Sequence, residues 1–231
     1  MKDINSVSLP LRNQIQLPRI QKLKSPAVFF LHGFGSNMHD LFSLRNYFPS
    51  DWTCISLEAT VPTGFDGWAW AELDYNNMLE LPKPEQIYKH RTKIIQSIKI
   101  SVKKLKLDSS QIYLVGFSQG ASMSLFCGLT RPEMFHGIVS LCGYIEMNHF
   151  SEEINKDKVS KRAFVGNSII LEMNGILSNN SGFARRVVSQ STFAIGNAID
   201  IIRTDGNRHK TSPIADNFMT SIDFGRCLIS L

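Results

Sequence analysis

The chain has 231 residues, of which 43% are hydrophobic, 10% aromatic and 19% charged, a balance that supports a packed core and excludes a largely disordered chain. That length is within reach of one α/β domain with a single core. The formal charge is +5 and the sequence pI near 9.0, but the excess is scattered. Its densest run, KISVKKLK at 99–106, closes an amphipathic segment, where cations suit a helix dipole and face water, so no nucleic-acid partner is expected.

Cys54, Cys127, Cys142 and Cys227 form no C-x-x-C pair and have no histidine at metal-ligand spacing, so neither a metal site nor a redox dithiol is expected. MKDINSVSLPLRNQIQLPRI lacks the apolar core of a secretory signal. No window approaches the roughly 18 apolar residues of a membrane span. A cytoplasmic protein without an integral membrane segment is the expectation.

AVFFL (27–31) is an apolar run stopped by HGFG, which predicts a buried strand ending in a glycine turn. NMHDLFSLRNYF (37–48) places Leu41, Leu44 and Phe48 at helical spacing, and CISL (54–57) is a second buried strand. A loop rich in Gly, Pro and Trp spans 59–84. Pro84 then opens a segment with Ile87, Ile94, Ile95, Ile98, Val102 and Leu105 on one face, the pattern of a long helix. IYLV (112–115), GASMSLFCGLT (120–130) and GIVSLCG (137–143) follow as strand, helix and strand, and AFVG (163–166) as a further strand. Residues 1–25 read as an N-terminal extension with an edge strand. Residues 165–231 mix apolar runs with Asn, Ser and Gly in no clear period and read as an atypical C-terminal part.

This alternation predicts an α/β fold: one mostly parallel sheet covered by helices on both faces, in a single domain over 1–231. The glycine-bearing turns at 32–35, 116–120 and 143 then open on the carboxyl edge of the sheet, where sites form in such folds.

One of those turns holds Gly116-Phe117-Ser118-Gln119-Gly120, a G-x-S-x-G pentapeptide between a predicted strand and a predicted helix. That context is a nucleophile elbow, in which small residues two before and two after let the backbone fold sharply and push the serine hydroxyl outward. An oxyanion formed at Ser118 needs two backbone N–H donors. Gln119 is the first by position, and Phe34 in HGFG, after the 27–31 strand, is the second. His32 in the same turn reads as a structural residue or a catalytic one.

In hydrolases built on this elbow the chain order is serine, acid, histidine. His136, His149 and His209 follow Ser118. His136 opens the next strand and His149 lies in a polar loop. His209, in GNRHKTSP, sits in a turn-rich stretch from which it can reach back, and is the chosen base, with a plain surface histidine as the alternative.

FFLHGFGSNMHDLFSL (29–44), EATVPTGFDGWAWAELD (58–74), IYLVGFSQGASMSL (112–125) and LCGYI (141–145), in that order, resemble the phospholipase/carboxylesterase family of small α/β-hydrolases, which includes the acyl-protein thioesterases. The resemblance implies an α/β-hydrolase fold and a cofactor-free serine hydrolase acting on small to medium acyl esters or thioesters. It also implies that Trp70, in the aromatic GWAW segment, lines the acyl pocket, with core packing of Trp68 and Trp70 as the alternative. HKTSP (209–213) looks like the family's G-H-x-x-S-P segment, with Arg208 in place of the glycine.

The acid departs from the pattern. The family's G-T-x-D motif is absent, and AFVG leads into NSIILEMNG. Glu172 is the nearest carboxylate and the chosen acid, ahead of Asp200 and Asp205. Because an acid holds the imidazole tautomer and stabilises its cation, its loss would leave the alternative expectation, a catalytically impaired α/β-hydrolase-fold binding protein.

Overall fold

The structure, a computed structural model, describes residues 6–20, 22–64, 66–73 and 83–146, and the backbone of 163–166 and 169–171. Its centre is a six-stranded sheet made of β1 (Asn13–Gln16), β2 (Ser25–Leu31), β3 (Thr53–Leu57), β6 (Leu107–Phe117), β7 (Gly137–Leu141) and β9 (Ala163–Gly166), in the order β1-β3-β2-β6-β7-β9. β1 is the antiparallel edge strand, with Asn13 opposite Leu57, and every other pairing is parallel. The remaining strands form two small pairs. β4 (Val61–Pro62) and β5 (Trp68–Ala69) make an antiparallel hairpin inside the predicted 59–84 loop, and β8 (Tyr144–Glu146) runs parallel to β10 (Ile169–Leu171).

β2 is buried along its whole length, as its unbroken apolar run requires. Because successive side chains alternate across a strand, Ala27, Phe29 and Leu31 join the core under the two long helices, while Val28 and Phe30 join the opposite core with Phe42, Trp52, Tyr113 and Val115. α1 (Pro84–Leu105) has Pro84 in its first turn, Glu85 beside it, and Lys103 and Lys104 in its last turn, each where the helix dipole favours it. It stops at Lys106, whose φ of 53° is left-handed. α2 (Gln119–Thr130) is almost wholly buried, so it reads as apolar all round and lacks a polar face.

The predicted helix over 37–48 is shorter and tighter than expected, a 3-10 helix over Leu41–Tyr47. Asn37 explains its late start: its side-chain oxygen accepts the N–H of His39 at 2.9 Å, and its carbonyl accepts the N–H of Asp40 at 3.4 Å. Pro49 explains its early end, since Phe48 before it is extended. The strand predicted at 112–115 is also longer, beginning at Leu107, with a register shift against β2 between Ser25 and Ala27. Among the described residues no helix is long and apolar enough to cross a membrane.

This topology fixes where chemistry can occur. β2, β6 and β7 are adjacent and parallel, and their carboxyl ends, at Leu31, Phe117 and Leu141, meet at one edge.

Candidate active site

Ser118 lies between the last residue of β6 and the first of α2, with φ 51° and ψ −118°. For a residue with a Cβ such a conformation costs on the order of 1–3 kcal/mol, and it persists only where the surroundings over-determine it. They do so here. The Ser118 N–H donates to the Leu141 carbonyl at 2.8 Å, and its own carbonyl accepts the N–H of Ser122 at 3.1 Å.

The flanking glycines are sterically required. A Cβ on Gly116 would lie 2.3 Å from the Gly120 carbonyl oxygen, and one on Gly120 would lie 2.1 Å from the Leu31 oxygen and 2.4 Å from that of His32. The first turn of α2 therefore rests directly on the end of β2. With the helix N-terminus beginning one residue after Ser118, its partial positive charge lies where an anion at this serine would form.

The loop after β2 passes beside the elbow. The Cβ position of Gly33 is 3.1 Å from the Phe117 ring and 3.5 Å from the Ser118 Cβ. Phe34, the next residue, is half-buried. A short ladder ties this loop to the β4–β5 hairpin: the Gly35 N–H donates to the Trp68 carbonyl at 3.0 Å, and the Trp68 N–H to the Ser36 carbonyl at 2.8 Å.

Two buried imidazoles hold the segment before that hairpin. The His32 Nε2 accepts the N–H of Ala59 at 3.1 Å, so its proton resides on Nδ1, which donates to the Gly33 carbonyl at 2.7 Å. His90, on the buried face of α1, repeats the arrangement one residue on. Its Nε2 accepts from the N–H of Thr60 at 3.2 Å and lies 2.9 Å from the Thr60 hydroxyl, while Nδ1 donates to the Gln86 carbonyl at 3.1 Å. Burial holds both rings neutral. It lowers His32 against the opposing effects of the Gly33 carbonyl, Glu58 and Asp40, and it pushes His90 down to about 4, where Lys93, Lys89 and His32 add to the effect of burial.

Trp70 lies between these rings, 5.3 Å from His32 and 5.6 Å from His90 by ring centroids. It is 0% exposed, and its Nε1–H donates to the His32 carbonyl at 2.8 Å. In this structure the ring is core packing. Glu58, 3% exposed, pairs with Arg12 at 2.7 Å and receives a long 3.4 Å contact from the Met38 N–H.

Of the residues singled out in the sequence, the structure brings together Ser118, Gln119 and the loop bearing Phe34, with Trp70 behind them. His209, Glu172, Asp200, Asp205 and His149 lie outside the described residues. His136 precedes Gly137 at the amino end of β7, across the sheet from Ser118, and its Nδ1 lies 3.2 Å from the Ser110 carbonyl oxygen. His32 is structural, since both ring nitrogens are engaged. Among the described residues no three of His, Cys, Asp and Glu are grouped to hold a metal ion. The pattern reading missed His90 as a buried residue, although position 90 completes the stripe of Ile87, Ile94 and Ile98. It also missed the side chain of Gln119, whose Oε1 accepts from the N–H of Trp70 at 2.7 Å and whose Nε2 donates to the Ala71 carbonyl at 2.8 Å.

The family model described as phospholipase/carboxylesterase matches residues 14–173. The chain belongs to the phospholipase/carboxylesterase family. Solved structures share the fold of this family member. Esterase PE8 is 20% identical, covers 86% of this chain and 99% of its own, and has a TM-score of 0.57. The Bacillus cereus carboxylesterase is 14% identical over 84% and 94%, with a TM-score of 0.55, and the Mesorhizobium loti carboxylesterase is 15% identical over 73% and 90%, with a TM-score of 0.54. At these identities the likeness is one of architecture. The family match includes Ser118 and Glu172 and ends before His209.

Two outcomes follow for the α/β-hydrolase core of this family member. Gly120→Ala is expected to lower the unfolding free energy by about 3 kcal/mol or more, because the added carbon meets backbone oxygen with no side chain to yield. Urea unfolding measures it. The second concerns pH. The unfolded chain takes up a histidine proton near 6.5, whereas folded His90 takes one only near 4, so the contribution of His90 to stability is fully present above 6.5 and declines as pH falls from there towards 4. His90→Gln, which retains an acceptor for Thr60 without a titrating ring, is expected to flatten that decline in urea unfolding at pH 7 and 4.5. An unchanged slope would contradict the assignment.

Proposed function

We propose that this protein is a serine hydrolase cleaving carboxylic esters or thioesters through an acyl-serine intermediate. The observation that carries the reading is the left-handed backbone at Ser118, held at the meeting point of three parallel strand ends with a helix N-terminus directly behind it. Family membership supports ester hydrolysis in general.

In the proposed reaction the Ser118 Oγ attacks the acyl carbonyl carbon while the His209 imidazole takes the hydroxyl proton. The carbonyl oxygen becomes an oxyanion held by the Phe34 and Gln119 N–H groups, which act on charge that exists only after attack begins. Collapse breaks the bond to the leaving oxygen or sulfur, and the imidazolium returns the proton to it as the alcohol or thiol departs. Water, deprotonated by the same imidazole, then attacks the acyl-serine, the bond from the acyl carbon to Oγ breaks, and the imidazolium returns its proton to Oγ as the acid leaves. Glu172 is the proposed acid that orients His209. The half-buried Phe34, on the loop that passes beside the elbow, suits an apolar acyl group of small to medium size.

Hydrolysis of p-nitrophenyl acetate and butyrate tests this directly. Wild type is expected to turn over both esters. Ser118→Ala and His209→Ala are each expected to reduce kcat by about 10³-fold or more, and Glu172→Gln by about 10²–10⁴-fold. Equal, background-level rates for wild type and Ser118→Ala would instead indicate a binding protein on this fold.

A further inference from the structure

The two proposed oxyanion donors lie on different segments, Phe34 on the loop after β2 and Gln119 at the start of α2, with 84 residues of sequence between them. Stabilising a developing oxyanion requires both N–H groups to be set at one distance and angle before the substrate arrives. Proximity of β2 and β6 brings the segments together, but strand pairing ends at Leu31 and Gly116, before either donor. Something beyond the sheet must fix their separation.

We infer that Trp70 and the Gln119 side chain form a cross-brace that does so. The inference rests on the hydrolase reading above and assigns both residues a positioning role in that site. The brace has two joints. At one end the Trp70 Nε1–H donates to the His32 carbonyl at 2.8 Å, two residues before Phe34. At the other the Gln119 carboxamide docks on the backbone of the segment that carries Trp70: Oε1 accepts from the N–H of Trp70 at 2.7 Å and more weakly from that of Ala71 at 3.4 Å, and Nε2 donates to the Ala71 carbonyl at 2.8 Å.

Each part is stiff. The indole is 0% exposed and Ala71 2% exposed, and His32 is itself pinned through both ring nitrogens. A carboxamide supplies acceptor and donor on one planar group, so it copies a peptide and satisfies two backbone groups at once. Asparagine is one methylene too short to reach, and a carboxylate would set oxygen against the Ala71 oxygen. The side chain of the residue following the nucleophile thus anchors the N–H that the same residue presents to the oxyanion.

A positioning role predicts losses in the transition state and not in substrate binding. Gln119→Met keeps the length and loses both hydrogen-bonding functions. It is expected to lower kcat for p-nitrophenyl butyrate by about 10- to 100-fold, the scale of a misplacement near 1 Å, with KM within about twofold. Gln119→Glu provides a signature that loss of packing cannot imitate. Near pH 8 its carboxylate cannot donate to Ala71, whereas as the pH falls towards about 4.3, the ordinary glutamate value, a growing fraction is neutral and regains one donor and one acceptor. The rate at which Ser118 is phosphonylated by a fluorophosphonate probe, as a ratio of Gln119→Glu to wild type, is therefore expected to climb as pH falls. Trp70→Phe removes the other joint, and combined with Gln119→Met it is expected to cost little more than the worse single change, because a brace broken once is broken.

A ratio flat in pH, a loss confined to KM, or additive single effects in the double variant would each overturn the brace. Failure of wild type to label at Ser118 would instead overturn the hydrolase reading on which it rests.

Discussion

The close approach of α2 to the end of β2 is the constraint on which the site depends. Gly120 sits so near the Leu31 and His32 carbonyls that a single carbon would collide with them, and Gly116 faces Gly120 with no more room. The chain can pass from β6 into α2 within that space only by turning through a left-handed residue, and that residue is Ser118 at φ 51°. The strain at one residue is the consequence of packing a helix against three strand ends. What it achieves is to leave the serine side chain at the carboxyl edge of the sheet, with the helix dipole and the loop after β2 on either side.

Behind the elbow the chain uses buried polar groups where an apolar core would have been simpler. His32 and His90 accept the N–H groups of consecutive residues, Ala59 and Thr60, and both donate from Nδ1 to backbone carbonyls. Each imidazole replaces a strand partner for a segment that has left the sheet, satisfying main-chain groups whose burial unpaired would be costly. The arrangement works only with neutral rings, which their burial ensures. Trp70 packs between them and joins this polar layer to the first turn of α2 through Gln119.

Much of this was legible in the residues because the strongest signals are local. The unbroken AVFFL run can only be a buried strand, Pro84 and the isoleucine stripe mark α1, and the glycines around Ser118 mark the elbow by their spacing. The proposed backbone contribution of Gln119 follows from its position next to the serine. Its side chain does not, since its partners at Trp70 and Ala71 are 49 and 48 residues away and no periodicity links them. The helix expected over 37–48 is longer than the observed Leu41–Tyr47 for a related reason. Its apolar spacing fits a helix, but the side chain of Asn37 and the proline at 49 decide its length, and both compete with helix formation through local hydrogen bonding and sterics. His90 was overlooked because a histidine in a helix reads as polar until its partner Thr60, from another segment, is known.

The measurement that bears most directly on the account is a crystal structure of the protein after reaction with a small alkyl fluorophosphonate. The account predicts phosphorus bonded to the Ser118 Oγ, a positive φ at that residue, and the phosphonyl oxygen about 2.7–3.1 Å from the backbone nitrogens of both Phe34 and Gln119. An adduct on another residue, no adduct at all, or a phosphonyl oxygen turned away from those two nitrogens would contradict it.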